Sequence, residues 1–261
     1  MTEEIIRKYL KYDANIHIFD EISSSNTVAK ELALEGAKEG TIVIALTQTN
    51  GRGRLGRGFI SNCDNGLYMS IILRPDINPD ECVSITVMAS VAVLEAIEKT
   101  ANISAQIKWV NDIYINDRKI CGILTEAKFS KGDRLDYVIC GIGINITPPQ
   151  NGFNDEIKDI AGAIFANEAP FEYKEKLLAK IIDNFFKHYN DKKDFMNTYR
   201  EKSSIIGKDV DVYCGNSIIS GIAVDINDNA ELVVKKEDGE ICVFNSGEAR
   251  VRKSGEKLND K

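Results

Sequence analysis

The chain has 261 residues, 43% of them hydrophobic and 28% charged, with a formal net charge of −7. This composition excludes an intrinsically disordered chain and provides enough apolar residues for one large domain, or a large domain with a small one. The acidic balance disfavours a general nucleic-acid binder, because binding to phosphates needs a basic face. The sequence contains no signal peptide and no apolar run long enough to cross a bilayer. We therefore expect a cytoplasmic location without a membrane partner.

The first predicted elements are a strand, a helix and a second strand. The strand-like runs at residues 16–19 and 41–46 predict the two strands. Between them, the cluster Ser23-Ser24-Ser25-Asn26 supplies N-cap residues for a helix whose apolar spacing ends at Gly36. This cluster has more capping residues than one helix end needs, so it either caps the helix alone or also binds a ligand.

Glycine and arginine alternate at residues 51–58, directly after the second strand, in what we call the Gly/Arg loop. Glycine brings backbone N–H groups close to a ligand, and guanidinium groups match phosphate or carboxylate. Gly51, Gly53 and Gly56 fit the G-x-G-x-x-G pattern, but no helix begins inside it, which disfavours a dinucleotide-binding fold. The run also lacks the Gly-Lys-Ser/Thr ending of a P-loop. It predicts a loop that binds a nucleotide or an acyl phosphate.

The rest of the chain continues with strands and helices and then changes to short strands. Further strands are predicted at residues 66–73, 113–115, 120–124 and 137–146. Helices are predicted at residues 83–97, after the start signal Asn78-Pro79, and from residue 174 towards residue 199. Glycines inside the strand at residues 137–146 predict the close approach of another backbone or a ligand. Short strands between residues 210 and 245 predict a small antiparallel barrel that begins near Ser203.

Polar side chains are concentrated around the predicted hairpin at residues 113–124. Lys108, Trp109, Asn111 and Asp112 come before it, and Lys119 follows its turn. Asp112 suits Mg²⁺ or a ribose hydroxyl, and Trp109 suits either a nucleotide base or the core. Lys119 would stabilise negative charge on phosphate or carboxylate. The cysteines and histidines of the chain show no metal-ligand spacing.

These motifs resemble, in their order and spacing, the motifs of biotin protein ligases. The resemblance rests on Ser24-Ser25-Asn26, Gln48 and residues 51–57, 108–112 and 119–126, and the C-terminal strands look like the small barrel of that family. It implies an α+β fold. A mixed β-sheet flanked by helices, like the catalytic domain of class II aminoacyl-tRNA synthetases, would be followed by an SH3-like β-barrel. The implied domains are a catalytic biotin- and ATP-binding domain at residues 1–202 and the barrel at residues 203–261.

The resemblance implies an ATP-dependent, AMP-forming ligase. Such an enzyme uses ATP and Mg²⁺ to activate biotin as biotinyl-5′-AMP and transfers it to one lysine of a biotin carboxyl carrier protein or domain. The residues implied in catalysis are Lys119, Arg54 and Arg52. The residues implied in biotin binding are Ser24, Ser25, Asn26, Gln48, Arg52, Gly53, Arg54, Lys119 and Gly122. The residues implied in ATP or adenylate binding are Arg54, Arg57, Lys108, Trp109, Asn111, Asp112 and Asn145, with Asp112 as the Mg²⁺ ligand.

The sequence also departs from the pattern of the family. Ser25 replaces a common threonine, and Phe59 and Val110 replace the usual tryptophan and proline; these changes keep the hydroxyl or the apolar character. Leu55 replaces an arginine that is often found, and we expect it to weaken retention of the adenylate. The resemblance is to the short class without an N-terminal DNA-binding domain, so we expect no DNA binding. A homodimer formed through a sheet edge is a further expectation.

Three alternatives stay open at this point. A lipoate–protein ligase shares the fold and the adenylation chemistry, but it should lack the Gly/Arg loop in this form and the polar cluster at residues 23–26. A non-catalytic biotin-sensing regulator would need a basic DNA-reading helix, which we do not find in the sequence. An Arg/Gly RNA-binding module conflicts with the negative net charge, and such segments usually repeat many times.

Overall fold

The computed structural model describes residues 1–61, 65–130, 134–191, 195–215 and 217–252, without the side chains of Leu55 and Asp80. The expectation for Leu55 therefore concerns a side chain outside the described part. The described helices are α1 (Glu3–Arg7), α2 (Ser25–Leu34), α3 (Cys82–Ala101), α4 (Tyr173–Asp191) and α5 (Phe195–Glu201). One sheet contains β1 (Asn15–Ile22), β2 (Thr41–Gln48), β3 (Gly66–Leu73), β4 (Gln106–Lys108), β5 (Asp112–Ile115), β6 (Arg118–Phe129) and β7 (Leu135–Asn145). The other contains β8 (Asp209–Cys214), β9 (Ser217–Ile226), β10 (Leu232–Lys235), β11 (Ile241–Phe244) and β12 (Glu248–Val251).

The first sheet has the strand order β1-β2-β3-β7-β6-β5-β4. β1 and β2 are parallel, because α2 returns the chain to the starting edge between them. The other neighbouring strands in this sheet are antiparallel. The turn of the predicted hairpin is also present, with Asn116 and Asp117 at φ 49° and 60°. The predicted mixed sheet is therefore confirmed.

Helices cover both faces of this sheet and divide its core into two parts. On one face, Ala29 and Ala33 of α2 pack against Val43, Ile72 and Ile139. On the other face, α3 packs against β6 and β7, and α4 covers α3. This position explains why α3 is apolar on nearly all sides. None of the helices within the described ranges is both long and apolar enough to span a bilayer.

The helix ends follow the local signals in the sequence. α3 comes after a capping box in which Asn78 and Glu81 exchange hydrogen bonds, with Pro79 in the first turn. α2 ends before Gly36, which has a φ of 94°. The helix predicted from residue 174 towards residue 199 is described as α4 and α5, and residues 192–194 between them lie outside the described part.

The second sheet is antiparallel, with the strand order β11-β10-β9-β8-β12 that matches the expected small C-terminal barrel. The predicted strands between residues 210 and 245 are present. β12 pairs with β8 and was not predicted, because four residues directly after Ser246-Gly247 are difficult to distinguish from a turn. The domain boundary between residues 202 and 203 stays a prediction.

Candidate active site

A cleft opens at the edge of the first sheet where β1 and β2 end and α2 begins. β1 and β2 are parallel, with Ile22 opposite Gln48, so their carboxyl ends lie side by side. In open α/β sheets, this carboxyl edge is the usual place for a ligand. The topology brings Ser24, Asn26 and Gln48 to one cleft. Its empty volume is about 310 Å³, part of it open to solvent.

Hydrogen bonds hold the polar groups of the cleft in place. The backbone N–H of Ser25 donates to Oε1 of Gln48 at 2.7 Å. The Ser70 hydroxyl lies 2.8 Å from the Ser25 hydroxyl and donates to Oδ1 of Asn26 at 2.6 Å. Ser24 is the N-cap residue of α2, but its side chain makes no capping hydrogen bond. Capping alone therefore does not explain the cluster at residues 23–26, and the ligand-binding alternative is favoured.

Glycines of β6 and β7 line the cleft between these polar groups. Gly122 and Gly143 lie opposite each other in the β-ladder, and the ring of Phe59 packs on Gly143. A Cβ at Gly141 would lie only 2.0 Å from Oδ1 of Asn26, so this amide can approach only a glycine. The groups that approach these glycines are two side chains and not the predicted second backbone, and the alternative of a ligand stays a prediction.

The Gly/Arg loop folds into a short hairpin beside the cleft, which Arg52 lines. Arg52 and Gly58 form an isolated β-bridge, and the N–H of Gly53 donates to the carbonyl of Arg57 at 2.8 Å. This hydrogen bond uses the Gly53 N–H inside the loop. The predicted contact of Gly53 with biotin stays a prediction.

The three arginines of the Gly/Arg loop contact three different elements. Arg52 Nη2 lies 3.0 Å from Oε1 of Glu126 on β6, Arg54 Nη1 donates to Oδ1 of Asn111 at 3.0 Å, and Arg57 Nη2 donates to Oε2 of Glu248 on β12 at 2.6 Å. Partial burial would raise the pKa of Glu248, but hydrogen bonds from Arg57 and Arg250 outweigh it and hold the pKa below its ordinary value. The loop therefore joins the first sheet to the second.

Lys119 and Asp112 meet at the β5–β6 hairpin, where Nζ lies 2.7 Å from Oδ1. Burial lowers the pKa of the nearby Lys108, and the charge of Asp112 counteracts this effect. No group of three His, Cys, Asp or Glu side chains that could hold a metal is found in the described part of the chain. Asp112 contributes one carboxylate, which fits Mg²⁺ only if phosphate oxygens of a nucleotide complete the coordination.

Comparison with known proteins identifies the family of this chain. Residues 18–145 match the model of the biotin/lipoate A/B protein ligase family, and residues 205–252 match that of the biotin protein ligase C-terminal domain. The bifunctional ligase/repressor BirA of Bacillus subtilis is 37% identical over 247 residues, which cover 92% of this chain and 76% of the relative. This chain belongs to the biotin protein ligase family.

Other members of the ligase family agree with this assignment. The structure of the biotin protein ligase from Aquifex aeolicus, in complex with biotin and ATP, is 30% identical and has a TM-score of 0.73. The similarity covers 92% of this chain and 99% of that structure. The biotin–[acetyl-CoA-carboxylase] ligase of Mycobacterium tuberculosis is 26% identical, over 83% of this chain and 82% of the relative. The predicted fold, with its mixed sheet and SH3-like C-terminal barrel, is confirmed.

The ligase fold brings most of the predicted site residues into two adjoining groups. The first group lines the cleft and contains Ser24, Ser25, Asn26, Gln48, Arg52 and Gly122. The second group, at the hairpin, contains Lys108, Asp112 and Lys119. A Cβ at Gly122 would lie 3.4 Å from Nζ of Lys119, so the lysine lies directly beside the cleft.

Trp109, Asn111 and Asn145 have structural partners in this ligase. The Trp109 side chain is buried, and its Nε1 donates to the carbonyl of Ala230 at 2.8 Å, so the core alternative is favoured over stacking on a base. Nδ2 of Asn111 donates to the carbonyl of Ile123 at 2.9 Å. Nδ2 of Asn145 donates to the carbonyl of Gly162 at 2.9 Å. The nucleotide-binding roles of Asn111 and Asn145 stay predictions.

Two polar residues of the site were not predicted from the sequence. Ser70 contacts both Ser25 and Asn26, and its signal was a lone hydroxyl within the apolar strand at residues 66–73. Glu126 binds Arg52, and it is the last residue of the family motif at residues 119–126, in which only Lys119 and Gly122 had predicted roles.

Proposed function

We propose that this protein is an ATP-dependent biotin–protein ligase. It activates biotin as biotinyl-5′-AMP and transfers the biotinyl group to a lysine of a biotin carboxyl carrier protein or domain. The observation that carries this proposal is a single cleft that joins a polar cluster on α2 and β2 with Arg52 and, beside Gly122, with Lys119. The functions named for the relatives in Bacillus, Mycobacterium and Aquifex support it.

The cleft has the composition that the bicyclic ring of biotin requires. Leu124, Ile142 and Phe59 provide apolar walls, and Asn26 and Gln48 provide amide groups for the ureido N–H and C=O. Buried polar groups reject a ligand that leaves them unpaired. This selectivity favours biotin over lipoate, whose ring carries no N–H or C=O group.

In the first step, an oxygen of the biotin carboxylate attacks the α-phosphorus of ATP, and pyrophosphate leaves. Both reactants are anions, so their repulsion must be offset while they are held in contact. Arg52, Arg54 and Lys119 would offset this repulsion. Asp112 lies 2.7 Å from Nζ of Lys119 and would orient the lysine. Mg²⁺, bound with ATP and held by Asp112, would neutralise further phosphate charge.

In the second step, the uncharged ε-amine of the carrier lysine attacks the acyl carbon of the adenylate. The amide bond forms as the acyl–phosphate bond breaks, and AMP leaves. Water also hydrolyses such a mixed anhydride, so the adenylate must stay covered until the carrier arrives. The Gly/Arg loop, with its arginines bonded to β6, β12 and Asn111, would provide this cover.

Isotope exchange between pyrophosphate and ATP tests the first step. We expect exchange that depends on biotin, because adenylate formation is reversible when no carrier is present. Lys119→Ala should slow the exchange by about 100-fold or more, since it removes a cation that stabilises the developing charge. Its circular dichroism spectrum should stay that of the wild type.

The same assay separates the alternatives. Exchange supported by lipoate or octanoate, and not by biotin, would overturn the proposal in favour of a lipoate–protein ligase. Tight biotin binding without exchange would favour a sensor. For the second step, a carrier domain from a biotin-dependent carboxylase should become labelled, and the same domain with its acceptor lysine replaced by alanine should not.

A further inference from the structure

We propose that Glu126 is a positioning residue that holds the Arg52 guanidinium at the biotin cleft. The proposal rests on the function proposed above, and it concerns a residue outside the predicted site. Glu126 lies in β6, where alternate side chains share one face of the sheet. Leu124, two residues earlier, lines the cleft. Glu126 therefore faces the side of the sheet on which biotin would bind.

The Glu126 carboxylate divides its two oxygens between the cleft wall and the Gly/Arg loop. Oε2 accepts a hydrogen bond from Nδ2 of Asn26 at 2.8 Å. Oε1 accepts a hydrogen bond from Nζ of Lys30 at 2.6 Å and lies 3.0 Å from Nη2 of Arg52. One carboxylate thus joins α2, β6 and the Gly/Arg loop.

Partial burial of Glu126 strengthens its ion pairs. The Glu126 side chain is 19% exposed and the Arg52 side chain is 43% exposed, so solvent screens their ion pair less than it screens a pair of fully exposed side chains. Burial would raise the pKa of Glu126, but hydrogen bonds from Lys30 and Asn26 outweigh it and keep the carboxylate charged at neutral pH.

The physical effect of such a contact is to order Arg52 before the ligand binds. A free arginine side chain loses rotamer freedom when it binds a ligand, whereas a side chain that is already held loses less. The guanidinium has five N–H donors, so a contact of Nη2 with Glu126 leaves others to face an anion. Because Arg52 faces the biotin carboxylate both before and during its attack on ATP, Glu126 should act mainly on biotin binding, and the chemical step should change less.

Glu126→Gln is the variant that tests this role. It keeps the shape of the side chain, and its carbonyl oxygen can still accept the hydrogen bond from Asn26. Its amide NH₂ group cannot pair with Arg52. We expect the KM for biotin in pyrophosphate exchange to rise by about three- to tenfold. The KM for ATP should stay within about twofold of the wild type, and the kcat should fall by a smaller factor than the one by which the KM for biotin rises.

Two further variants separate a role through Arg52 from a general structural role. Lys30→Met is the matched control, because it removes the other cation on Oε1 and leaves the pair between Glu126 and Arg52 intact. Its KM for biotin should stay within about twofold of the wild type. In an Arg52→Gln background, Glu126→Gln should change the KM for biotin by less than about twofold, since the partner is already absent.

The outcomes distinguish this role from the proposed function. An unchanged KM for biotin in Glu126→Gln would overturn the role of Glu126 and leave the ligase function intact. If Glu126→Gln raised the KM for biotin equally with and without the Arg52 side chain, the role of Glu126 would also be overturned. A similar rise in the KM for biotin in Lys30→Met would overturn it as well. Absence of biotin-dependent exchange in the wild-type protein would overturn the proposed function, and the role of Glu126 with it.

Discussion

Gly141 determines how closely the start of α2 approaches β7. An alanine Cβ at this position would lie 2.0 Å from Oδ1 of Asn26, a distance that no relaxed structure tolerates. We expect Gly141→Ala to push the Asn26 amide out of its place and to raise the biotin dissociation constant by at least about tenfold. Overpacking should also lower the free energy of unfolding by about 1–3 kcal/mol. Titration calorimetry and urea unfolding measure the two effects.

Asn26→Ala provides the test of this mechanism, because it removes the group that the new methyl group would meet. In that background, Gly141→Ala should weaken biotin binding by less than about twofold more. Similar losses from Gly141→Ala with and without the Asn26 side chain would show that the strand itself had moved, and would contradict the expected collision.

At the scale of residues, the sequence predicted which residues form the site better than it predicted which side chains they contact. The structure brings Ser24, Asn26 and Gln48, which the family resemblance assigns together to biotin, into one cleft, and their contact with biotin stays a prediction. The contact between Asn26 and Glu126 was not predictable, since the two residues are 100 positions apart in the chain. Their contact depends on the register of β6 and on the crossing of α2, which local patterns do not contain.

At the scale of elements, local patterns predicted the strands and helices that have clear periodicity or end signals. The apolar run at residues 83–97 and the signal Asn78-Pro79 located α3, because capping and burial are encoded locally. The Gly/Arg loop was predicted to bind an anion. In the structure, each of its arginines binds a protein oxygen, because a guanidinium pairs with the carboxylate and amide oxygens within its reach.

The contact between the Gly/Arg loop and β12 yields a prediction for this loop. Glu248→Gln removes the negative charge of the carboxylate that accepts a hydrogen bond from Arg57 at 2.6 Å, so the Gly/Arg loop should open more often. The Arg57 side chain is 63% exposed, which limits the effect to that of a surface ion pair. We expect biotinyl-5′-AMP to leave the enzyme about two- to fivefold faster in a single-turnover release experiment.

Glu240→Gln is the control for this change, because it neutralises a comparable carboxylate that pairs with Lys236, next to β10 and β11. It should leave adenylate release unchanged. Since Arg57 and Arg250 hold the pKa of Glu248 below its ordinary value, the Arg57–Glu248 pair should persist at neutral pH. It should be lost only as the pH falls through that lowered pKa. Equal release rates for Glu248→Gln and wild type would contradict a role of β12 in holding the loop.

At the scale of the whole molecule, the second sheet is attached to the segments that carry the site. The N–H of Ile107 donates to the carbonyl of Lys202 at 2.8 Å, and the N–H of Ser204 donates to the carbonyl of Ile107 at 2.8 Å. Trp109 continues this contact through its hydrogen bond to Ala230. Hydrogen bonds to the C-terminal part of the chain thus fix the segment that leads to Asn111 and Asp112. The sequence predicted a barrel but not this attachment, since the lone Trp109 was compatible with either a base or the core.

Trp109→Phe distinguishes these two roles of Trp109. The variant keeps an aromatic ring but removes the N–H that donates to the buried carbonyl of Ala230. An unpaired buried carbonyl costs about 1–3 kcal/mol, so the free energy of unfolding should fall by that amount in urea titrations. The KM for ATP should stay within about twofold of the wild type, because Trp109 is buried away from solvent. Unchanged stability together with a severalfold higher KM for ATP would instead place this ring against the nucleotide.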